Sequence, residues 1–126
     1  MPHTIIYNSE ERIIEIKVQG DLSLNEVKEI ITEVARVAKE QNCFLVLNDM
    51  REATVKLSIL EIYGLPKTMV DIAASFGLDV YKFKRAVVIA QPLKVYEFFE
   101  TVTLNRTQST KHFFDMDEAR KWLSGK

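Results

Sequence analysis

Apolar and polar positions change period several times along the chain, and each change marks an element. Thr4-Ile5-Ile6-Tyr7 is a short apolar run, Asn8-Ser9-Glu10-Glu11 supplies turn residues, and Ile14, Ile16 and Val18 then alternate with Glu15 and Lys17. A period of two is the pattern of a half-buried strand, so Arg12 to Val18 is predicted to pair with Thr4 to Tyr7 as an antiparallel hairpin. Gln19-Gly20-Asp21 is expected to end it. From Ser23 the period becomes helical. Leu24, Val27, Ile30, Ile31, Val34 and Ala38 form one stripe through about Lys39, and Ser23-Leu24-Asn25-Glu26 has the spacing of a capping box.

Cys43-Phe44-Leu45-Val46-Leu47-Asn48 is an apolar run without alternation, which reads as a central strand covered on both faces. It runs into the polar cluster Asn48-Asp49-Met50-Arg51. Ser58-Ile59-Leu60-Glu61 is a second capping box and opens a helical segment through about Phe76, with Gly77 placed to end it. Gly64-Leu65-Pro66 interrupts that segment. Proline in a straight helix interior costs about 3 kcal/mol, so a kink or two short helices are expected. Arg85 to Ala90 is another buried strand, and Pro92 opens a third helix with Val95, Phe98, Phe99 and Val102 facing inward. Lys111 to Phe114 is a last strand. Asp115-Met116-Asp117-Glu118 caps a closing helix whose Ala119, Trp122 and Leu123 face in. The order β-β-α-β-α-β-α-β-α predicts an α/β domain with a mixed sheet of about five strands, the later ones parallel, and about four helices.

At 126 residues the chain makes one domain, 1–126, large enough to bury a core without staples. Its 47% hydrophobic and 28% charged content is ordinary, and a net charge of −1 creates no global field toward nucleic acid or an acidic membrane. The single cysteine, Cys43, excludes an internal disulfide. Met1-Pro2-His3-Thr4 lacks the basic and apolar regions of a signal peptide. No apolar run approaches the roughly 20 residues of a transmembrane helix. A soluble, cytoplasmic protein without a transmembrane segment is expected. The four glycines, Gly20, Gly64, Gly77 and Gly125, form no phosphate loop. His3 and His112 have no partner at metal-ligating spacing and are expected to be packed or surface histidines, so no cofactor, metal or catalytic constellation is predicted. Tyr81-Lys82-Phe83-Lys84-Arg85 interleaves aromatics with cations, as single-stranded nucleic-acid sites do. No second basic stripe accompanies it, so it is read as a strand entry and no nucleic-acid partner is expected.

The initial hairpin, the strand ending Leu47-Asn48-Asp49-Met50-Arg51 and the segment Lys84-Arg85-Ala86-Val87-Val88 together resemble the STAS/SpoIIAA-like family. So do Phe98 to Arg106 and Phe113 to Leu123. Within that family they look most like the small bacterial STAS/SEC14-like branch. The resemblance implies a single SpoIIAA-like α/β domain. It also places a phosphorylatable serine just after the central strand in the anti-sigma-factor antagonists, where phosphorylation switches partner binding. Here that turn holds Met50 and no serine, and Thr54, the nearest hydroxyl, comes a few residues late. A phosphate's negative charge cannot be placed on Met50, so the switch is not carried over. The SEC14-like half implies a carrier of a hydrophobic small molecule or lipid.

Ligands of open α/β sheets gather beyond the carboxyl ends of the strands. Asn48, Asp49, Met50 and Arg51, with Ser58 at the next helix start, are therefore the candidate edge for a ligand or protein partner. The competing reading of Asp49 and Arg51 is an ion pair fixing the strand–loop corner. The second candidate is an apolar pocket beneath the interrupted helix, lined by Ile59, Ile62, Tyr63 and Met69, with Phe98 and Phe99 expected to line it too. Core packing is the competing reading of those residues. The expected function is a non-enzymatic, STAS-like regulatory or protein-interaction module acting through the edge. The alternative is the hydrophobic carrier. A homodimer through an exposed helix face is compatible with either.

Overall fold

The computed structural model describes residues 3–91, 97, 100–101 and 109–125. Strands β1 (His3–Asn8) and β2 (Ile13–Leu22) form the antiparallel hairpin. Helix α1 (Leu24–Gln41) leads to β3 (Leu45–Val55), and α2 (Ile59–Ser75) with a 3-10 turn at Val80–Lys82 leads to β4 (Lys84–Val88). Strand β5 (Ser109–Phe113) precedes α3 (Met116–Ser124). The sheet order is β1-β2-β3-β4-β5, and every pair after the hairpin is parallel.

The helix starts follow their caps. Ser23 accepts from the Glu26 backbone amide, Asp115 from that of Asp117, and Ser58 and Glu61 form the complete reciprocal box. These bonds satisfy first-turn N–H groups that have no partner within the helix.

Side chains alternate across β3, and that alternation divides the core into two layers. Val46 and Met50 join Ile16 and Val18 of β2 and Ile30 and Val34 of α1 on one face. Leu47 joins Ile13, Val88 and Phe113 on the other, covered by Ala119 and Leu123 of α3. Helix α2 packs against α1 and contributes Met69 and Ala73 to a satellite cluster with Val80. The sheet is thus apolar on both faces, as the uninterrupted run in β3 predicts.

One expectation is corrected and two are made more specific. The first concerns the central strand, which starts at Leu45, with Cys43 just before it, and continues to Val55 rather than turning after Asn48. Lys17 pairs with Asp49 but Gln19 pairs with Glu52, so Met50 and Arg51 together oppose Val18 as a β-bulge. Beyond the bulge the ladder resumes through Leu22 and Val55. Its backbone bonds are indifferent to the polar side chains that read as a turn, and Gly20 supplies the positive φ of 77° that β2 needs there. The second concerns α2, which is one helix with Pro66 inside it, so of the two expected alternatives the pair of short helices is excluded. Leu65, Pro66 and Met69 are all buried. At about 1.5–3 kcal/mol for each large apolar side chain, their burial outweighs the roughly 3 kcal/mol cost of the proline. The third concerns helix count: of the four expected helices, three are complete among the described residues. Most of the expected third helix, including Phe98 and Phe99, lies outside the described residues, while Glu97, Glu100 and Thr101 within it are helical.

Candidate functional site

Between the sheet and the α1/α2 layer lies an apolar cavity of two adjoining chambers, of about 140 and about 110 Å³. They share a wall made of Leu22, Val27, Asn48, Met50, Leu65 and Val87. An apolar cavity of about 150 Å³ stays dry and takes up benzene, so each chamber has room for a group of roughly ring size. The first chamber runs under Val34, Ala35, Met69 and Ala73. The second is bounded by Leu22 and Val55, the last residues of β2 and β3, with Val87 and His112 near the ends of β4 and β5. It therefore opens the cavity toward the carboxyl ends of the parallel strands, where the topology leads one to look.

The floor of this cavity carries a polar patch within an apolar surround. Strand pairing puts Asn48, Val87 and His112 in one row and Val46, Arg85 and Thr110 in the next. Arg85, Asn48, Thr110 and His112 thus surround Val87, with adjacent rows on one face roughly 7 Å apart. Arg85 Nε donates to Thr110 Oγ1 at 3.0 Å. Burial pushes the Arg85 guanidinium down to about 10, which leaves it a cation at neutral pH. The amide oxygen of Asn48 is buried and has no hydrogen-bond partner, a state that costs about 1–3 kcal/mol. The Glu100 carboxylate accepts from the His112 backbone amide at 2.9 Å and lies 2.6 Å from ring Nδ1. This contact holds the imidazole where it lines the second chamber.

The residues expected at one edge are distributed over two faces. Asn48 and Met50 line both chambers, and Met50, which stands where the family resemblance puts the switch serine, is buried. Asp49 lies on the opposite face, in a cleft with Leu47, Glu15 and Met116. There Arg51 Nε and Nη2 each donate to it at 2.9 Å, and the Arg51 amide donates at 3.2 Å. These bonds hold the Asp49 carboxyl below the ordinary carboxylate range, burial opposing them. The pair is a bidentate clamp across the bulge. Ser58 is exposed and its hydroxyl is engaged in the cap.

The expected pocket is partly assembled. Ile62 lines the second chamber and Met69 the first. Ile59 and Tyr63, 70% and 54% exposed, face away from it with Leu60 at 83%. Arg85, Thr110 and the Glu100–His112 pair were not anticipated. The available signal was parity, since Arg85 shares a face with Val87 on a strand otherwise apolar. The cations of the 81–85 segment point to separate places. Lys82 lies over Phe44, Lys84 lies over the Trp122 ring and donates to the Trp122 carbonyl, and Arg85 enters the cavity. They form no stripe. Among the described residues no group of three metal-ligating side chains occurs, and no helix is long and apolar enough to cross a membrane.

No protein-family model matches the sequence, and no curated protein matches it. Solved structures do. An uncharacterised protein of the DUF3478 family from Shewanella loihica, described as having a SpoIIAA-like fold, superposes with a TM-score of 0.59 at 18% identity, covering 96% of this chain and 91% of the other. The fold is SpoIIAA-like. An anti-sigma factor antagonist from Mycobacterium paratuberculosis shares it, with a TM-score of 0.54 at 12% identity and coverage of 96% and 93%. The SpoIIAA-like architecture accounts for the mixed five-stranded sheet and for helices on both of its faces.

Proposed function

We propose that this SpoIIAA-like chain is a non-catalytic binding module that takes up an apolar small molecule between the sheet and the α1/α2 layer. The observation that carries this reading is the two-chambered apolar cavity whose floor holds a small polar patch. Ligand sites of this kind are mostly apolar with a few placed polar groups. Titration with the neutral fluorescent probe N-phenyl-1-naphthylamine tests it, together with native mass spectrometry of the purified protein. Enhanced, blue-shifted emission is expected, and Ala35→Phe, which fills the first chamber from α1, is expected to abolish it while the fold is retained. Probe emission unchanged by the protein, with no co-purifying small molecule, would sink the reading.

A second reading is supported by a separate observation. Ile59, Leu60 and Tyr63 expose apolar surface on the first turns of α2, directly after the Ser58 cap. This is the face on which a regulatory protein partner would dock, as the likeness to an anti-sigma factor antagonist suggests. In this reading the Asp49–Arg51 clamp serves the fold rather than the partner. Affinity capture should therefore lose its partner with Leu60→Ser/Tyr63→Ser and keep it with Asp49→Ala/Arg51→Ala; the reverse pattern would restore the edge.

A further inference from the structure

Resting on the binding-module reading, we propose that the cavity selects a neutral alcohol whose hydroxyl lies between two apolar groups, the hydroxyl donating to the side-chain oxygen of Asn48 and the apolar groups filling the two chambers.

The first argument is an acceptor without a donor. The Asn48 amide oxygen is buried and has no hydrogen-bond partner. Such an atom has lost its bond to water and gained none in exchange, so a ligand that brings a donor recovers the loss. A hydroxyl brings one, whereas a ketone or ether oxygen, or an ionised carboxylate, brings none. The second argument is position. Asn48 belongs to the wall shared by both chambers, amid Leu22, Val27, Met50, Leu65 and Val87. A group bonded there adjoins two apolar spaces, each of roughly ring size, so the hydroxyl belongs in the middle of the ligand rather than at its end. The third is charge. Arg85 donates from Nε to Thr110 Oγ1 at 3.0 Å and has further interactions besides, and Glu100 engages His112. An anion would have to draw Arg85 out of bonds that it already makes, and a cation would meet its positive charge. A neutral ligand does neither, and it avoids the cost of bringing a charge into an apolar surround.

Three ligands that carry the same two rings separate these arguments. Diphenylmethanol, benzophenone and diphenylacetate are titrated calorimetrically into the full chain near neutral pH, as wild type and as Asn48→Leu. Wild type is expected to bind the alcohol at least about fivefold more tightly than the ketone, the factor that one neutral hydrogen bond contributes, and to bind the carboxylate most weakly. The sign discriminates, because the alcohol is the better hydrated of the two and a cavity without a placed acceptor would favour the ketone. Asn48→Leu should erase the alcohol's advantage. It should also raise the urea midpoint of the ligand-free protein, since an apolar side chain then replaces an unpaired buried oxygen. Equal or tighter binding of benzophenone or of diphenylacetate by wild type would overturn the hydroxyl assignment and leave the binding module standing. So would an alcohol preference that survives Asn48→Leu, or a lowered midpoint in that variant. If none of the three binds while N-phenyl-1-naphthylamine does, the alcohol is overturned and the module stands; if that probe fails as well, both fall.

Discussion

Asp49 and Asn48 are adjacent in sequence, yet pleating puts them in opposite environments. Asn48 faces the apolar cavity, whereas Asp49 lies beside Arg51 and near Lys17 on the α3 side. The Arg51 hydrogen bonds favour the charged carboxylate, so the folded protein holds Asp49 at a lower pKa than the unfolded chain does. A depressed folded-state pKa means stability that is fully present above the unfolded value, about 3.9 for aspartate, and lost as pH falls through the folded value. Half of the partner is in water, with the Arg51 side chain 46% exposed, so the pair contributes no more than about 1 kcal/mol. Asp49→Asn should lower unfolding free energy by up to that amount at neutral pH. Urea titrations of both proteins should converge as pH drops below the carboxylate range. A gap of constant size at all pH values would show that the bulge geometry, not the charge, is what the aspartate supplies.

At the scale of elements, what could be read from the chain depended on how local its cause was. Caps at Ser23, Ser58 and Asp115, and the apolar stripes behind them, are one-turn phenomena, and the helices start where those residues predict. The uninterrupted apolar run of β3 likewise marks a strand covered on both faces, with Val46 in one core layer and Leu47 in the other. The extension of β3 was not legible, because Arg51, Glu52 and Thr54 are polar and the bulge at Met50-Arg51 shifts the alternation that follows. Pro66 was weighed against its own helix, although its burial against the rest of the molecule decides the outcome. The polar patch was the least accessible. Asn48, Arg85, Thr110 and His112 come from three strands, and only the pairing register, which no single strand's periodicity specifies, brings them around Val87. Ile62 and Met69 line the chambers as inward positions of α2, while Ile59 and Tyr63 lie on its exposed side.

The whole molecule has a sheet whose spatial order is its chain order, each strand pairing with the next in sequence. Its two faces are nevertheless covered by parts of the chain with different positions in that order. The cavity-side face receives α1 and α2 between successive strands, but Ile13, Leu47, Val88 and Phe113 are covered by α3, which follows every strand. Arg120 of α3 also reaches back to the first hairpin, donating to Glu11 Oε1 at 2.6 Å and to Glu15 Oε1 at 3.1 Å. Leu123→Ala, at a site 3% exposed, should cost about 2–5 kcal/mol. In stopped-flow refolding that loss is expected mainly on the unfolding rate, the signature of a helix that docks after the transition state. An equal slowing of folding would place α3 in the nucleus instead. For a ribosome making this chain, the apolar side formed by Ile13, Leu47, Val88 and Phe113 waits for Ala119 and Leu123 of α3, which emerge after every strand. That interval, rather than the stability of the finished fold, is when neighbouring nascent chains could adhere to it.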